Sequence, residues 1–281
     1  MKNLLAIILL ILPAFTLFAQ EQDAAADLPV DAPFETAILI DNQTVVSPYK
    51  GGLEFEIHHR FGTVKNGITD IFGIYAPSNI RLGLNYGITD KLMFGAGTTK
   101  DNKLQDFQWK YAIMQQTQSG KKPVSISYYG NFVVDARTKE TFGPEGDFKS
   151  MHRFSYFTQL IVARKFNDKF SFQVAPSFLY FNTVAEGYKN ANIGIHAGGR
   201  AKIIGYNSII VEYDQLLTKQ DIPVQPKPNM SIGYEIGTGT HAFQIFLANY
   251  SQIINQRNFL YNTNDFAKGG FLVGFNITAR F

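Results

Sequence analysis

The 281-residue chain contains no cysteine. That excludes a disulfide framework, thiolate metal sites, a cysteine nucleophile and a lipid anchor through an N-terminal cysteine. Charge is scarce as well: 17% of residues are charged and the formal net charge is +3. So small and dispersed an excess leaves no footprint for nucleic acid. Beyond the N-terminus there is no long apolar run, whereas a helical membrane protein collects its apolar residues in runs of about 20. His-X-X-X-His metal spacing is missing. So is a phosphate-binding glycine loop, because Gly237-Thr238-Gly239 is a turn between two strands with no helix or lysine behind it. No cofactor and no metal are expected. No low-complexity tract or shift in composition marks a second domain.

What the chain does have is apolar residues in alternation. It is 45% hydrophobic, with 25 Phe and 14 Tyr, spread singly rather than in blocks. The C-terminal stretch 269–281 is the clearest case. Phe271, Val273, Phe275, Ile277, Ala279 and Phe281 share one face of an extended strand, and Leu272, Gly274, Asn276, Thr278 and Arg280 share the other. An aromatic last residue is common at the end of bacterial outer-membrane β-barrels, so Phe281 is read as the assembly signal.

Eleven further segments of period two precede it, at 52–61, 79–87, 91–99, 106–115, 123–135, 151–165, 169–182, 188–203, 207–215, 230–236 and 241–250. In the first, Leu53, Phe55, Ile57, His59 and Phe61 oppose Glu54, Glu56, His58 and Arg60. In a soluble sandwich the apolar face would be the core; in a transmembrane barrel it faces lipid and the polar face lines the lumen. Connection lengths decide between the two. Short turns follow strands 2, 6, 8 and 10, and long connections follow strands 1, 5, 9 and 11. A barrel with periplasmic termini shows this asymmetry, and a sandwich has no reason to. The short connection after strand 3 and the middling 117–122 after strand 4 blur the rule. Pro176, inside the seventh strand, is read as a bulge because proline removes a ladder donor.

The expected fold is therefore all-β: a single antiparallel transmembrane barrel of about 12 strands over 51–281, closing 269–281 against 52–61. Residues 1–19 read as a cleaved signal peptide: Lys2, an apolar run over 4–12, then Leu17-Phe18-Ala19. Residues 20–50 read as a periplasmic leader, mostly disordered; within 34–48 the apolar piece Ala37-Ile38-Leu39-Ile40 suits a short element packed inside or below the barrel, a placement the pattern leaves open. The expected location is the outer membrane of a Gram-negative cell, with both termini periplasmic. The expected partners are outer-membrane lipid, the assembly machinery acting on the last strand, and an envelope protein.

Several fragments resemble a known family: 53–62 (LEFEIHHRFG), 79–84 with 86–90, His152-Arg153, 193–200 (IGIHAGGR), 241–244 and 274–281. Together they span about residues 50 to 281 and resemble the Bacteroidota outer-membrane β-barrel family known as domain of unknown function 5777. The resemblance implies fold and location. It brings no activity and no catalytic residues.

Lumen parity falls on Glu54, Glu56, His58, Arg60, Arg81, Lys110, Arg153, His196, Arg200, Glu212, Asp214, Glu235 and Arg280. Mixed signs suit either a selective pore lining or an internal ion-pair network that stiffens a closed barrel. Inward Tyr129, Phe157, Phe181, Phe246 and Tyr250 narrow the bore, and Arg280 is expected near Glu54 or Glu56. The primary reading is a narrow pore or transport channel for small polar solutes. The alternative is a non-conducting structural or partner-binding barrel. A hydrolase at the outer rim is the third reading and is not the expectation, since His152 and Ser155 have opposite parity on one strand.

Overall fold

The computed structural model describes residues 27–143 and 147–281. The signal-peptide reading of 1–19 lies outside those residues. Twelve strands follow in order: β1 (Leu53–Thr63), β2 (Asn79–Gly87), β3 (Leu92–Thr99), β4 (Leu104–Met114), β5 (Ser125–Asp135), β6 (Phe154–Lys165), β7 (Phe170–Phe181), β8 (Ala191–Ile204), β9 (Asn207–Leu216), β10 (Asn229–Gly237), β11 (His241–Ala248) and β12 (Leu272–Arg280). Each pairs antiparallel with its sequence neighbours, and β12 closes onto β1 with Glu54 opposite Arg280 and His58 opposite Asn276. Closure pairs every strand on both sides and leaves no edge, which is what a sheet needs in lipid, where unpaired N–H and C=O groups find no water.

The period-two pattern positions everything else. Along β2, Leu82, Leu84 and Tyr86 point outward and are 41–46% exposed, while Arg81 and Asn85 are buried within. His59 also faces outward, its ring stacked on Phe275 at 4.9 Å. Pro176 forms no bulge. It sits opposite Ile195 in unbroken register with β8, and pairing with β6 resumes in the same register on either side of it. A proline lacking one donor is tolerated there because the neighbouring pairs hold the register. The bulges lie elsewhere, between Arg60 and Thr63, Ala112 and Met114, and Lys202 and Ile204.

The short turns, the start of β1 and the end of β12 share one end of the barrel, called here the turn end; the opposite one is the loop end. The middling connection after β4 belongs to the turn end and carries an added partner: Pro29 bridges Thr117, and Val30 N–H donates to Gln116 O.

Two segments fold into the barrel. The first is residues 34–46, in which Phe34, Ala37, Leu39, Ile40, Asn42 and Thr44 are all at most 2% exposed. The expectation of a mostly disordered leader over 20–50 is therefore corrected for its second half. The segment is a short hairpin: Ile38 bridges Gln43, Leu39 N–H donates to Asn42 O at 2.9 Å, and Thr44 N–H to Ala37 O at 2.8 Å. Asp41 and Asn42 sit at the turn, where such residues are at home. Its apolar side packs Phe34, Leu39 and Ile40 against Ala163, Ile210, Phe246 and Leu272 of the wall. The second segment is the β11–β12 connection, which turns inward from the loop end and forms the helix α1 (Asn255–Tyr261). Phe259 and Leu260 of α1 pack on Tyr129, Phe157, Ile161 and Leu179.

Candidate functional site: the filled lumen

Inward charges and amides form three connected groups, and the hairpin takes part in all of them. The first is built on Arg81. Its Nη1 donates to Glu56 at 2.9 Å, and Nε and Nη2 donate to the two oxygens of Asp106 at 3.0 and 2.7 Å. Gly83 and Gly97, opposite each other on β2 and β3, make room for it: a Cβ at either would fall 2.5 Å from a guanidinium nitrogen. The chain continues through Asn85, which donates to Glu56 at 2.9 Å, and Gln108, which donates to Asn85 at 2.6 Å and accepts from Tyr129 at 2.8 Å. Lys110 reaches across to the hairpin, donating to Gln43 Oε1 at 2.9 Å and Ala37 O at 3.2 Å. Glu54 accepts from Asn85 at 3.4 Å.

The second group holds the hairpin tip. The Glu212 carboxylate accepts the backbone N–H groups of Ile40, Asp41 and Asn42 at 3.1, 2.9 and 3.0 Å. Successive N–H groups at a tight turn converge on one point and make a natural anion seat; here the anion is a wall residue of β9. Asp214, two residues on, accepts from Asn42 Nδ2 at 3.0 Å and pairs with His196 Nδ1 at 2.7 Å. Arg60 donates to Ile40 O at 3.2 Å and to Asn276 at 2.9 Å, and lies 3.6 Å from Asp41. From the loop end, α1 completes the grip: Asn258 donates to Asp41 Oδ2 at 2.7 Å and Asn255 to Asp41 O at 3.0 Å.

The third group clamps the base of the hairpin at the turn end. Glu35 pairs with Arg280 at 3.0 Å and Arg200 at 3.4 Å, and Arg200 Nε donates to Glu235 at 2.7 Å. Arg280 stands opposite Glu54 in register, as expected, but its side chain turns to Glu35 instead of Glu54 or Glu56. Glu35 precedes the first strand, so a reading that drew its inward partners from the strands alone did not find it.

Twelve of the thirteen residues assigned to the lumen thus form these groups or flank them. Arg153 is the exception: it closes a 3-10 turn ahead of β6 and donates to the carbonyls of Asp135 and Arg137 at the loop-end mouth. His152 lies in the same turn, so it does not share a strand with Ser155, which accepts from Gln256 of α1 at 3.2 Å. Sequence reasoning missed Glu35, Asp41, Asn42 and Gln43 because the hairpin was unassigned. It missed the inward amides Gln159, Gln173, Gln244 and Asn276 although their parity was legible, because only charged side chains and histidines were weighed; Asp106, with the same parity as Gln108 and Lys110, was passed over at the first position of its segment. His58 is buried without a hydrogen bond at either ring nitrogen, its Nε2 lying 3.6 Å from Glu56, beside a void of about 10 Å³, room for about one water molecule.

A closed antiparallel barrel with an apolar outer face and a charged lumen defines a membrane-spanning β-barrel of the outer-membrane type. The chain belongs to the family of the membrane bound beta barrel domain (DUF5777), whose model matches residues 34–281 and so takes in the hairpin as well as the strands. Among solved structures it is similar to the NanC porin (TM-score 0.50, 8% identity, covering 82% of this chain and 98% of that one). It is also similar to the KdgM porin (0.47, 7%, 82% and 98%) and to an outer membrane channel from Pseudomonas putida F1 (0.46, 11%, 84% and 97%). At 8% identity the likeness to the NanC porin shows the fold alone. No curated protein matches the chain.

Proposed function

We propose that this barrel is a channel of the outer membrane for small polar solutes, closed in the state described and gated by the hairpin of residues 34–46. The observation that carries this reading is the way the hairpin is held. It joins no strand ladder, and its tip and base are fastened to the wall through ionised groups and amides: Glu212, Asp214, Arg60, Lys110, Arg200 and Arg280. A lumen that never meets water is filled more economically by apolar side chains, because burying charge costs several kcal/mol per ion before pairing offsets it. Groups that alternate between the hairpin and water escape that cost in the open state. The turn end, where the hairpin enters, then faces the periplasm with both termini. Both signs of charge along the bore suit polar solutes of either sign. The inward rings of Tyr129, Phe157, Phe246 and Tyr250 keep it narrow.

The same plugged lumen favours the second reading, a barrel that never conducts. Swelling of liposomes in a small sugar separates the two. Liposomes carrying the chain without residues 27–46 should swell faster than those carrying the full chain. Equal, background-level swelling by an intact deleted barrel contradicts the channel.

A further inference from the structure

The loop end holds a cavity of about 440 Å³ that the lumen network does not use. The ends of β4 to β7, the turns beside them and α1 enclose it. Three arginines converge there: Arg137, Arg153 and Arg257. One is neutralised. Asp135 takes the Arg137 fork on both oxygens, from Nε at 2.9 Å and Nη2 at 2.5 Å. The other two have no carboxylate partner among the described residues. Arg153 spends Nη1 on two backbone carbonyls, its guanidinium lying over Phe142 and Phe148 at 5.1 Å from each ring. Arg257 spends Nε on the Gln252 side-chain oxygen at 3.2 Å, and Tyr261 supports its guanidinium at 5.0 Å. Burial pulls the Arg257 pKa down from its ordinary value; the charge of Arg137 adds to that shift, and Asp135 and Asp101 oppose it.

A half-buried guanidinium with no carboxylate within ion-pair reach among the described residues, and with a like charge beside it, is an incomplete site. Its remaining N–H groups form a fork matched to carboxylate or phosphate. The ring beneath each guanidinium fixes that fork in place, which lowers the ordering cost of binding. Thr141 and Thr183 add hydroxyls to the lining, and Phe154, Phe181 and Val184 add an apolar wall. The volume lies in the range of small-molecule pockets and exceeds what a bare ion fills. We propose that this cavity binds a small organic anion, a carboxylate or phosphate carried on a ring or polyol body, with Arg257 and Arg153 as its counter-charges. The hairpin contributes nothing to the cavity lining, so the site stands whether or not the barrel conducts.

Calorimetric titration of the full chain in detergent tests this with three probes of one body: glucuronate, glucose 6-phosphate and glucose. At least one of the two anions should bind about tenfold or more tighter than glucose, the discrimination expected of a bidentate charged contact. Arg257→Gln should weaken that binding about tenfold, and Arg153→Gln should weaken it in the same direction. Arg257→Lys, which keeps the charge and loses the fork, should fall between wild type and Arg257→Gln and covers the case in which Arg257→Gln fails to fold. Arg164→Gln, at the turn end, should leave affinity unchanged. Failure of both anions to bind, equal binding of glucose, or affinity untouched by the Arg257 and Arg153 variants would overturn the proposal.

Discussion

Replacing Glu212 with alanine tests whether the hairpin tip is held where the geometry places it. Oε1 accepts from Ile40 and Asn42, and Oε2 accepts from Asp41. Each hydrogen bond to a charged group contributes about 1.5–3 kcal/mol, so the set amounts to roughly 4–9 kcal/mol before relaxation. Two effects reduce that. Water entering the vacated space re-solvates the orphaned donors, and removing Glu212 relieves its repulsion with the neighbouring Asp214. A net loosening of roughly 3 kcal/mol remains, about a 100-fold rise in the released fraction at about 1.36 kcal/mol per tenfold. The lack of cysteine supplies the assay. Thr44→Cys puts the sole thiol at a fully buried position of the hairpin. A maleimide reaches it only in the released state, so the labelling rate follows that population. Glu212→Ala should raise the rate about 100-fold, while Glu186→Ala, on the exposed β7–β8 connection, should leave it unchanged. Retained resistance of the barrel to SDS at room temperature checks that the wall stays closed. An unchanged rate in an intact Glu212→Ala barrel would refute the tip-anchoring account.

Three further outcomes follow from the same geometry. Burial raises the carboxyl pKa of Asp41 from 3.8 to about 7, against the pull of Arg60 and with the push of Glu212 and Asp214. The docked hairpin thus holds a proton that the released hairpin gives up, so the contribution of Asp41 to docking is full below about pH 4 and is lost as pH rises towards 7. Labelling of Thr44→Cys, normalised to a free thiol, should quicken across that window, and Asp41→Asn should flatten the dependence. Glu35→Gln removes the pairs with Arg280 and Arg200 at the hairpin base. Those groups are partly exposed, so the loss is about 1 kcal/mol and the labelling rate should rise about fivefold, well short of Glu212→Ala. The main chain of Phe281 exchanges hydrogen bonds of 3.0 and 2.8 Å with Leu53. Deleting Phe281 should therefore lower surface levels far more than deleting Glu21; equal levels would contradict a role for the last residue in closure and assembly.

The wall was legible in the sequence because a strand in lipid has little freedom. One face must be apolar and the other polar, and parity alone sorted Glu56, Arg81, Glu212 and Arg280 to the inside. Partners on the wall were less legible, since parity places a side chain without saying which of two neighbouring strands it reaches. The contents of the barrel were not legible by that rule. The hairpin has no lipid face, so nothing forces alternation on it, and Ala37-Ile38-Leu39-Ile40 followed by Asp41-Asn42 reads as a short apolar run and a turn. The segment 251–268 looked like one more long loop. Its signal was compositional: between Ser251 and Tyr261 it carries amides, apolar residues and a single charge, Arg257, which is the make-up of a segment that enters a polar lumen. Pro176 misled because a missing donor suggested a bulge, whereas intact pairs on both sides absorb it.

Single-channel recording in planar bilayers tests the central claim most directly. The full chain should stay silent for most of the record, with brief steps that Glu212→Ala makes more frequent without changing their size. The chain lacking residues 27–46 should conduct continuously, in small steps because α1 still occupies the loop end of the bore. A deleted barrel that remains folded and inserted yet shows no current would contradict the account: the lumen charges would then be the stiffening of a closed wall, and the hairpin part of its core.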